Sequence, residues 1–61
     1  MKYKGYTIKS CGLVSYNERN KKYMAWYFIF RKDGSLIEER GFGFKNAKQI
    51  VELDIKEREK Q

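Results

Sequence analysis

An Asp-Gly pair at positions 33 and 34 limits the fold of this chain more than any other feature of the sequence. It separates two runs rich in aromatic and β-branched residues, YMAWYFIFRK and SLIEERGFGF. Such residues favour extended strands, and Asp-Gly between two strands is a strong signal for a tight turn. The sequence therefore predicts an antiparallel hairpin, which contains the only Trp and all four Phe of the chain.

The register of this hairpin decides which side chains share a face. A two-residue turn would pair Phe30 with Ile37. A three-residue loop, with the turn glycine in the left-handed conformation, would instead pair Phe30 with Leu36 and Met24 with Phe42. We expect the three-residue loop, because it collects the larger set of bulky apolar side chains on one face.

This register predicts one buried face and one open face. The face expected to be buried holds Met24, Trp26, Phe28, Phe30, Leu36, Phe42 and Phe44. The face expected to stay open holds Tyr23, Ala25, Tyr27, Ile29 and Ile37.

The segment before the hairpin has the pattern of another strand. Apolar and polar side chains alternate within residues 2–16, and Cys11-Gly12 interrupts the alternation. A glycine inside a strand pattern often marks a bulge, and the alternative is two short strands with a break. The polar residues 17–21 then form a loop into the hairpin.

The segment after the hairpin has the pattern of a helix. Asn46 fits a helix N-cap, and Gln49 lies at the spacing of a capping box. An apolar arc at helical spacing follows, interrupted by Asp54. Either Asp54 lies at the rim of the apolar face beside a Lys or Arg, or the face is narrower than the arc.

The predicted fold is therefore α+β, a three-stranded antiparallel meander with one C-terminal helix packed on one face (βββα). We expect strands at about residues 2–16, 22–32 and 35–44 and a helix at about residues 47–58, in a single domain over residues 1–61.

Catalytic and metal-binding chemistry lacks its usual parts in this sequence. The chain has no His and one Cys, so the common zinc sites and His-dependent triads cannot form. Glu38 and Glu39 are neighbours on a predicted strand and would point to opposite faces. Cys11 has no His to activate it and is expected to be a packing residue. We therefore expect no enzyme, no catalytic residue, no cofactor and no metal site.

The first ten residues, MKYKGYTIKS, contain no long apolar run. Neither a secretory signal nor a membrane span fits this composition, so we expect no membrane association through this segment. With a single Cys and no disulfide partner, a cytoplasmic location is the simplest expectation.

The formal charge of +6 is unevenly distributed along the chain. Residues 1–32 contain eight basic residues against one acidic residue, whereas residues 33–61 contain six against seven. Basic residues interleaved with aromatic residues on strands are typical of nucleic-acid binding, because cations neutralise phosphates and rings stack on bases. The candidate binding residues are Lys2, Lys4, Lys9, Lys21, Lys22, Tyr23, Tyr27, Arg31, Lys32 and Arg40.

The second half of the chain also resembles a known family. Residues 26–53 contain a Trp-bearing strand, an Asp-Gly turn, a Gly-Phe step, a polar cap and an Ala-bearing helix, at Trp26, Asp33-Gly34, Gly43-Phe44, Asn46 and Ala47. In this order they resemble the small βββα modules of phages and integrative elements, above all the AP2-like arm-type DNA-binding domain of tyrosine-type integrases. The long first strand departs from that pattern. The resemblance implies a free-standing mobile-element protein that uses its sheet face on DNA.

A protein partner is the alternative that the same residues allow. Tyr and Arg are enriched at protein–protein contacts as well as on nucleic acids. Tyr23, Tyr27 and Ile29 on an open face, together with an edge strand, would then bind a host protein, as in a phage-encoded inhibitor, or a second copy of the chain in a homodimer. The contact would form by burial of one face against another or by strand addition.

Overall fold

Four antiparallel strands and one helix make up the computed structural model, which describes residues 1–59. The strands are β1 (Lys2–Tyr3), β2 (Tyr6–Asn17), β3 (Lys22–Phe30) and β4 (Gly41–Phe42), in the order β1-β2-β3-β4, and the helix is α1 (Phe44–Glu59). The α+β class and the C-terminal helix are confirmed, but the sheet has four strands where the sequence predicted three. The last two residues of the predicted single domain lie outside the described residues.

The fourth strand arises because the predicted first strand turns back on itself near its start. Lys4 and Gly5 have φ values of 50° and 85°, and Tyr3 pairs with Tyr6 across them. Positive φ at both central residues is the signature of a two-residue turn that matches the twist of antiparallel strands. The predicted strand over residues 2–16 is therefore a short hairpin followed by β2.

A bulge divides the ladder between β2 and β3, as the glycine in the strand pattern predicted. Ser10 pairs with Tyr27 and Val14 pairs with Ala25, so three residues of β2 oppose one residue of β3. Gly12 lies in this segment with a φ of 81°. The bulge is confirmed, and β2 continues through it as one strand rather than two.

The loop at the tip of the central hairpin has the predicted three-residue form. Phe30 pairs with Leu36, the Arg31 N–H donates to the Ser35 carbonyl at 2.8 Å, and Gly34 has a φ of 89°. This part of the register prediction is confirmed.

Further along the hairpin the predicted register is wrong. Phe42 pairs with Trp26 and not with Met24, because residues 38–40 leave the ladder. Those residues are Glu38, Glu39 and Arg40, three consecutive charged side chains that stay hydrated because they lie outside the sheet. The predicted strand over residues 35–44 is reduced to the two residues of β4, and the predicted strand over 22–32 ends at Phe30.

The helix covers the face of the sheet opposite to the predicted one. The buried core consists of Tyr6, Ile8, Ile29 and Ile37 from the sheet side and Ala47, Ile50 and Val51 from α1. Side chains alternate along a strand, so the even-numbered residues of β3 point away from the helix. The face of Trp26 and Phe28, which was expected to be the core, is therefore the open one.

Close approach of the helix explains this choice of face. A Cβ atom added to Gly41 would lie 2.7 Å from both the Cα and the Cβ of Ala47, so α1 rests almost directly on the backbone of β4. Branched aliphatic side chains such as Ile29 fill the remaining space, whereas a row of large rings would hold the helix away from the sheet. Total apolar volume, the criterion used for the prediction, does not capture this requirement.

The helix begins at Phe44, three residues before its predicted start. Its first turn is closed by the Ala47 N–H, which donates to the Gly43 carbonyl at 3.1 Å. Asn46 is not the N-cap, because it lies inside the first turn, where its Oδ1 accepts a hydrogen bond from the Phe42 N–H at 2.9 Å. This backward contact satisfies a backbone donor just before the helix, as the third residue of a capping box does.

Asp54 lies at the rim of the helix beside basic side chains, which was one of the two predicted alternatives. Its carboxylate accepts hydrogen bonds from Arg31, from Arg58 four residues later and from the hydroxyl of the buried Tyr6. The cluster fastens α1 to the β1–β2 hairpin and to the tip of the central hairpin.

Within residues 1–59, no helix is long and apolar enough to cross a membrane.

Candidate nucleic-acid interface

Aromatic rings occupy the centre of the open sheet face. Trp26 and Phe42 stack across β3 and β4 with ring centres 4.6 Å apart and planes 26° from parallel. Phe28 and Phe30 follow along β3 with ring centres 6.4 Å apart. All four rings are partly exposed. They form an apolar strip on the face that α1 does not cover.

Cations flank this aromatic strip on both sides. The Arg40 guanidinium lies 5.2 Å from the centre of the Phe28 ring, in cation–π contact. On the other side, Lys9 is the cross-strand partner of Phe28 in β2 and shares its face. The face therefore offers rings in the middle and positive charge at the margins.

A shallow groove of about 300 Å³ lies at the Phe30 end of the strip. Lys2, Lys9 and Lys32 line it together with Phe30. The side chain of Lys32 lies over the backbone of Gly5, in space that any larger residue at position 5 would need. Three ammonium groups around one apolar wall make a site suited to a phosphate next to a planar ring.

The four strands contain no acidic residue. A separate groove beside α1 is lined by acidic side chains, among them Glu38, Glu39, Asp54 and Glu57. The strands thus carry basic but no acidic side chains, whereas α1 carries both signs and borders the acidic groove. An approaching polyanion meets attraction on the open sheet face and repulsion at the acidic groove.

Five of the predicted binding residues lie on or around the open face. Lys2, Lys9 and Lys32 line the groove, and Arg40 covers Phe28. Lys22 starts β3 at the far end, where it pairs with Asn17, and it points to the open face by alternation. The structure therefore brings these five predicted residues to one face of the sheet.

The two predicted tyrosines do not lie on the open face. Tyr27 is on the helix side, where it stacks on Phe44 with ring centres 5.8 Å apart. Tyr23 is also on the helix side but beyond the reach of α1, 74% exposed and in edge contact with Tyr16. The expectation of a tyrosine-bearing open face is therefore wrong.

Three predicted cations have other partners or positions. Arg31 binds Asp54 through Nε and Nη2 at 3.2–3.3 Å, and Lys4 forms an ion pair with Glu52. Lys21 lies in the turn between β2 and β3 with a φ of 53°. Arg31 and Lys4 therefore act first as structural ion pairs between the sheet and α1.

The Asp54 cluster has titration properties that follow from its contacts. Burial raises the pKa of Asp54, but the hydrogen bonds from Arg31 and Tyr6 outweigh it and bring the pKa below its ordinary value. Burial, followed by the hydrogen bond to Asp54, raises the pKa of the Tyr6 hydroxyl. Both shifts favour the charged carboxylate and the neutral phenol that the hydrogen bond requires.

The rings of the open face are the functional candidates that the sequence analysis missed. Trp26, Phe28, Phe30 and Phe42 were assigned to the core because they are bulky. Along β3 the odd positions hold Tyr23, Ala25, Tyr27 and Ile29, so both faces of the strand are apolar and the strand alone gave no signal for this choice. Within residues 1–59, no group of three His, Cys, Asp or Glu side chains is arranged to hold a metal ion.

Comparison with known proteins gives no family model, no curated relative and no solved structure that matches this chain. The case for a function therefore rests on the geometry of the open face.

Proposed function

We propose that this protein is a non-enzymatic nucleic-acid-binding module that binds DNA through the open face of its sheet. The observation that carries the proposal is the composition of that face, in which partly exposed rings are bordered by cations on strands that contain no acidic residue. Lys2, Lys9 and Lys32 neutralise phosphates at one end, and Arg40 does so beside the rings.

The resemblance of residues 26–53 to integrase arm-type modules makes DNA the first nucleic acid to test. It also suggests an origin in a phage or another mobile element, and the protein would then bind DNA in the cytoplasm. The present proposal differs from the sequence-based one in its rings, because tryptophan and phenylalanine take the place of tyrosine.

Two matched double variants test the proposal in the full chain. Lys9→Ala with Lys32→Ala removes two charges from the open face, and Lys45→Ala with Lys56→Ala removes two from exposed positions of α1. Fluorescence anisotropy with a labelled oligonucleotide between about 50 and 200 mM salt gives the affinity and its salt dependence. We expect the first pair to lower the salt slope by about two units and the second pair to leave it nearly unchanged.

Two results would contradict the proposal. Equal loss of affinity in both double variants would mean that net charge alone attracts the oligonucleotide, with no interface on the sheet. Absence of binding by the wild-type chain at about 50 mM salt, where phosphate contacts are strongest, would end the proposal outright.

A protein partner is the second candidate, and one observation favours it. Leu13, Val14, Tyr16 and Tyr23 are 49–74% exposed at the end of the β2–β3 ribbon that extends past the helix. Ile29 and Tyr27, which the sequence analysis assigned to such a contact, are respectively buried and partly buried under α1, so a host protein or a second copy would meet the ribbon end instead. Solution mass tests this candidate for a second copy of the chain, and a dimer through this end would leave the aromatic face free to bind nucleic acid as well.

A further inference from the structure

On the basis of the proposed function, we infer that the open face takes single-stranded nucleic acid, whose bases stack on the rings of Trp26, Phe28 and Phe30. The inference deepens the proposed function, since it names the form of the ligand and the contacts that select it. It follows from the spacing of the rings, from the absence of polar groups between them, and from the position of the cations.

The spacing of the rings fits an extended strand and not a duplex. The ring centres of Phe28 and Phe30 are 6.4 Å apart, and alternate residues of a strand repeat at about 7 Å. Successive nucleotides within one strand of a duplex rise by only about 3.4 Å. Two neighbouring bases can therefore stack on neighbouring rings only when they are separated from each other, as a flexible single strand permits.

The outward positions of β3 also lack the groups that read a duplex. Sequence in the major groove is read by hydrogen bonds to base edges, made by residues such as Arg, Lys, Asn and Gln. Along β3, the outward positions from 24 to 30 are Met24, Trp26, Phe28 and Phe30. The one polar group among them, the Trp26 Nε1–H, already donates to the Ser15 hydroxyl at 3.0 Å. Stacking is the chemistry that remains.

The cations border the rings where the backbone of a stacked strand would run. Lys2, Lys9 and Lys32 surround the groove next to Phe30, so a phosphate there lies one step from the first stacked base. A base arriving on Phe28 displaces the Arg40 guanidinium, which belongs to the segment outside the ladder and stays close enough to pair with the adjacent phosphate. Because every base has a π-face, little sequence preference is expected.

Labelled oligonucleotides of equal length test this inference in the full chain. The probes are a 12-nucleotide oligothymidine, the same backbone with abasic sites at its six central positions, the matching oligouridine and a 12-base-pair duplex. Trp26 is the only Trp, so its intrinsic fluorescence reports the contact directly. We expect quenching by the oligothymidine, and at least about tenfold weaker binding of both the duplex and the abasic strand.

Ring variants locate the stacking contact on the protein. Trp26→Ala should weaken single-strand binding by about fivefold or more with an unchanged salt slope, because it removes a ring and no charge. Trp26→Phe, which keeps a ring, should restore most of the affinity if circular dichroism shows both variants to be folded. Tyr23→Ala removes an exposed ring from the opposite side of the sheet and should have no effect.

The outcomes separate this inference from the proposed function. Duplex binding as tight as single-strand binding, or equal affinity for the abasic strand, would overturn base stacking while nucleic-acid binding stands. Comparable binding of oligouridine and oligothymidine supports stacking, since both present the same ring faces. Failure of every probe to bind would remove both proposals.

Discussion

Replacement of Ile29 with alanine is the sharpest test of the face assignment on which both proposals depend. The Ile29 side chain is fully buried, pairs across the sheet with Ile8 and belongs to one cluster with Ala47, Ile50 and Val51 of α1. Truncation of a fully buried Ile to Ala costs about 2–5 kcal/mol, through lost transfer free energy and the cavity left behind.

That cost is large for a chain of this size. At typical values per residue, 61 residues give a free energy of unfolding of roughly 3–9 kcal/mol, so the alanine variant is expected to lose a large part of its stability. Ile29→Val is a milder variant at the same position, with an expected cost of about 0.5–1.5 kcal/mol for one buried methylene. In a domain this small, 1 kcal/mol lowers Tm by roughly 4–8 °C.

Phe28→Ala is the matched control on the open face. Phe28 is partly exposed, and its contacts include its cross-strand neighbour Lys9, the Phe30 ring and the Arg40 guanidinium. Loss of these contacts is expected to cost about 1–2 kcal/mol in total, below the cost of Ile29→Ala. Urea unfolding followed by Trp26 fluorescence and circular dichroism measures all three variants. A larger loss for Phe28→Ala than for Ile29→Ala would refute the face assignment.

Two further predictions concern the attachment of α1 to the sheet. The pKa of Asp54 is lowered in the folded state, so its hydrogen bonds with Arg31 and Tyr6 contribute stability above the unfolded pKa near 4, and this contribution is lost as pH falls through the lower folded value. Asp54→Asn should therefore reduce the pH dependence of urea unfolding on the acid side, and an unchanged acid limb would contradict the role of the cluster. Gly41→Ala should cost about 1–3 kcal/mol, because the added Cβ would lie 2.7 Å from the Cα of Ala47, and a wild-type Tm for this variant would argue against such close packing.

The features that the sequence predicted well depend on local chemistry. A turn needs residues that accept positive φ, so Gly34 defined the three-residue loop and Gly12 marked the bulge. The helix followed from apolar spacing alone. Its start was misplaced because the Asn46 side chain bonds backward to the Phe42 N–H and not forward into the helix, a choice that depends on the path of the preceding strand.

The features that the sequence did not predict depend on tertiary contacts. Both faces of β3 are apolar, so their side chains alone do not say which one the helix covers. The contact between Gly41 and Ala47 decides it, and no local pattern reports a contact between two elements. The hairpin at Lys4-Gly5 was not predicted for a related reason, because Gly5 indicates a bend but does not fix which residues pair across it.

The sequence analysis predicted the cations of the candidate site but not its aromatic rings. The cations around the groove were recognised from the imbalance between the two halves of the chain, which is visible without a fold. Prediction of the exposed rings requires the correct face of the sheet. Because the predicted face was the opposite one, Tyr27 was expected to be exposed in place of Trp26 and Phe28. Arg31 was predicted to bind nucleic acid. Its structural partner Asp54 lies 23 positions away in the chain, so no local pattern indicated the ion pair.

The ribbon that extends past the helix has a consequence for the behaviour of the protein at high ionic strength. Among the described residues, β2 beyond Lys9 has a strand neighbour on one side only, and unpaired strand edges are templates for another chain. Mutual repulsion between the positively charged ribbons of two copies opposes such pairing, and added salt screens this repulsion. Added salt is therefore expected to lower the barrier that keeps separate molecules from joining edge to edge.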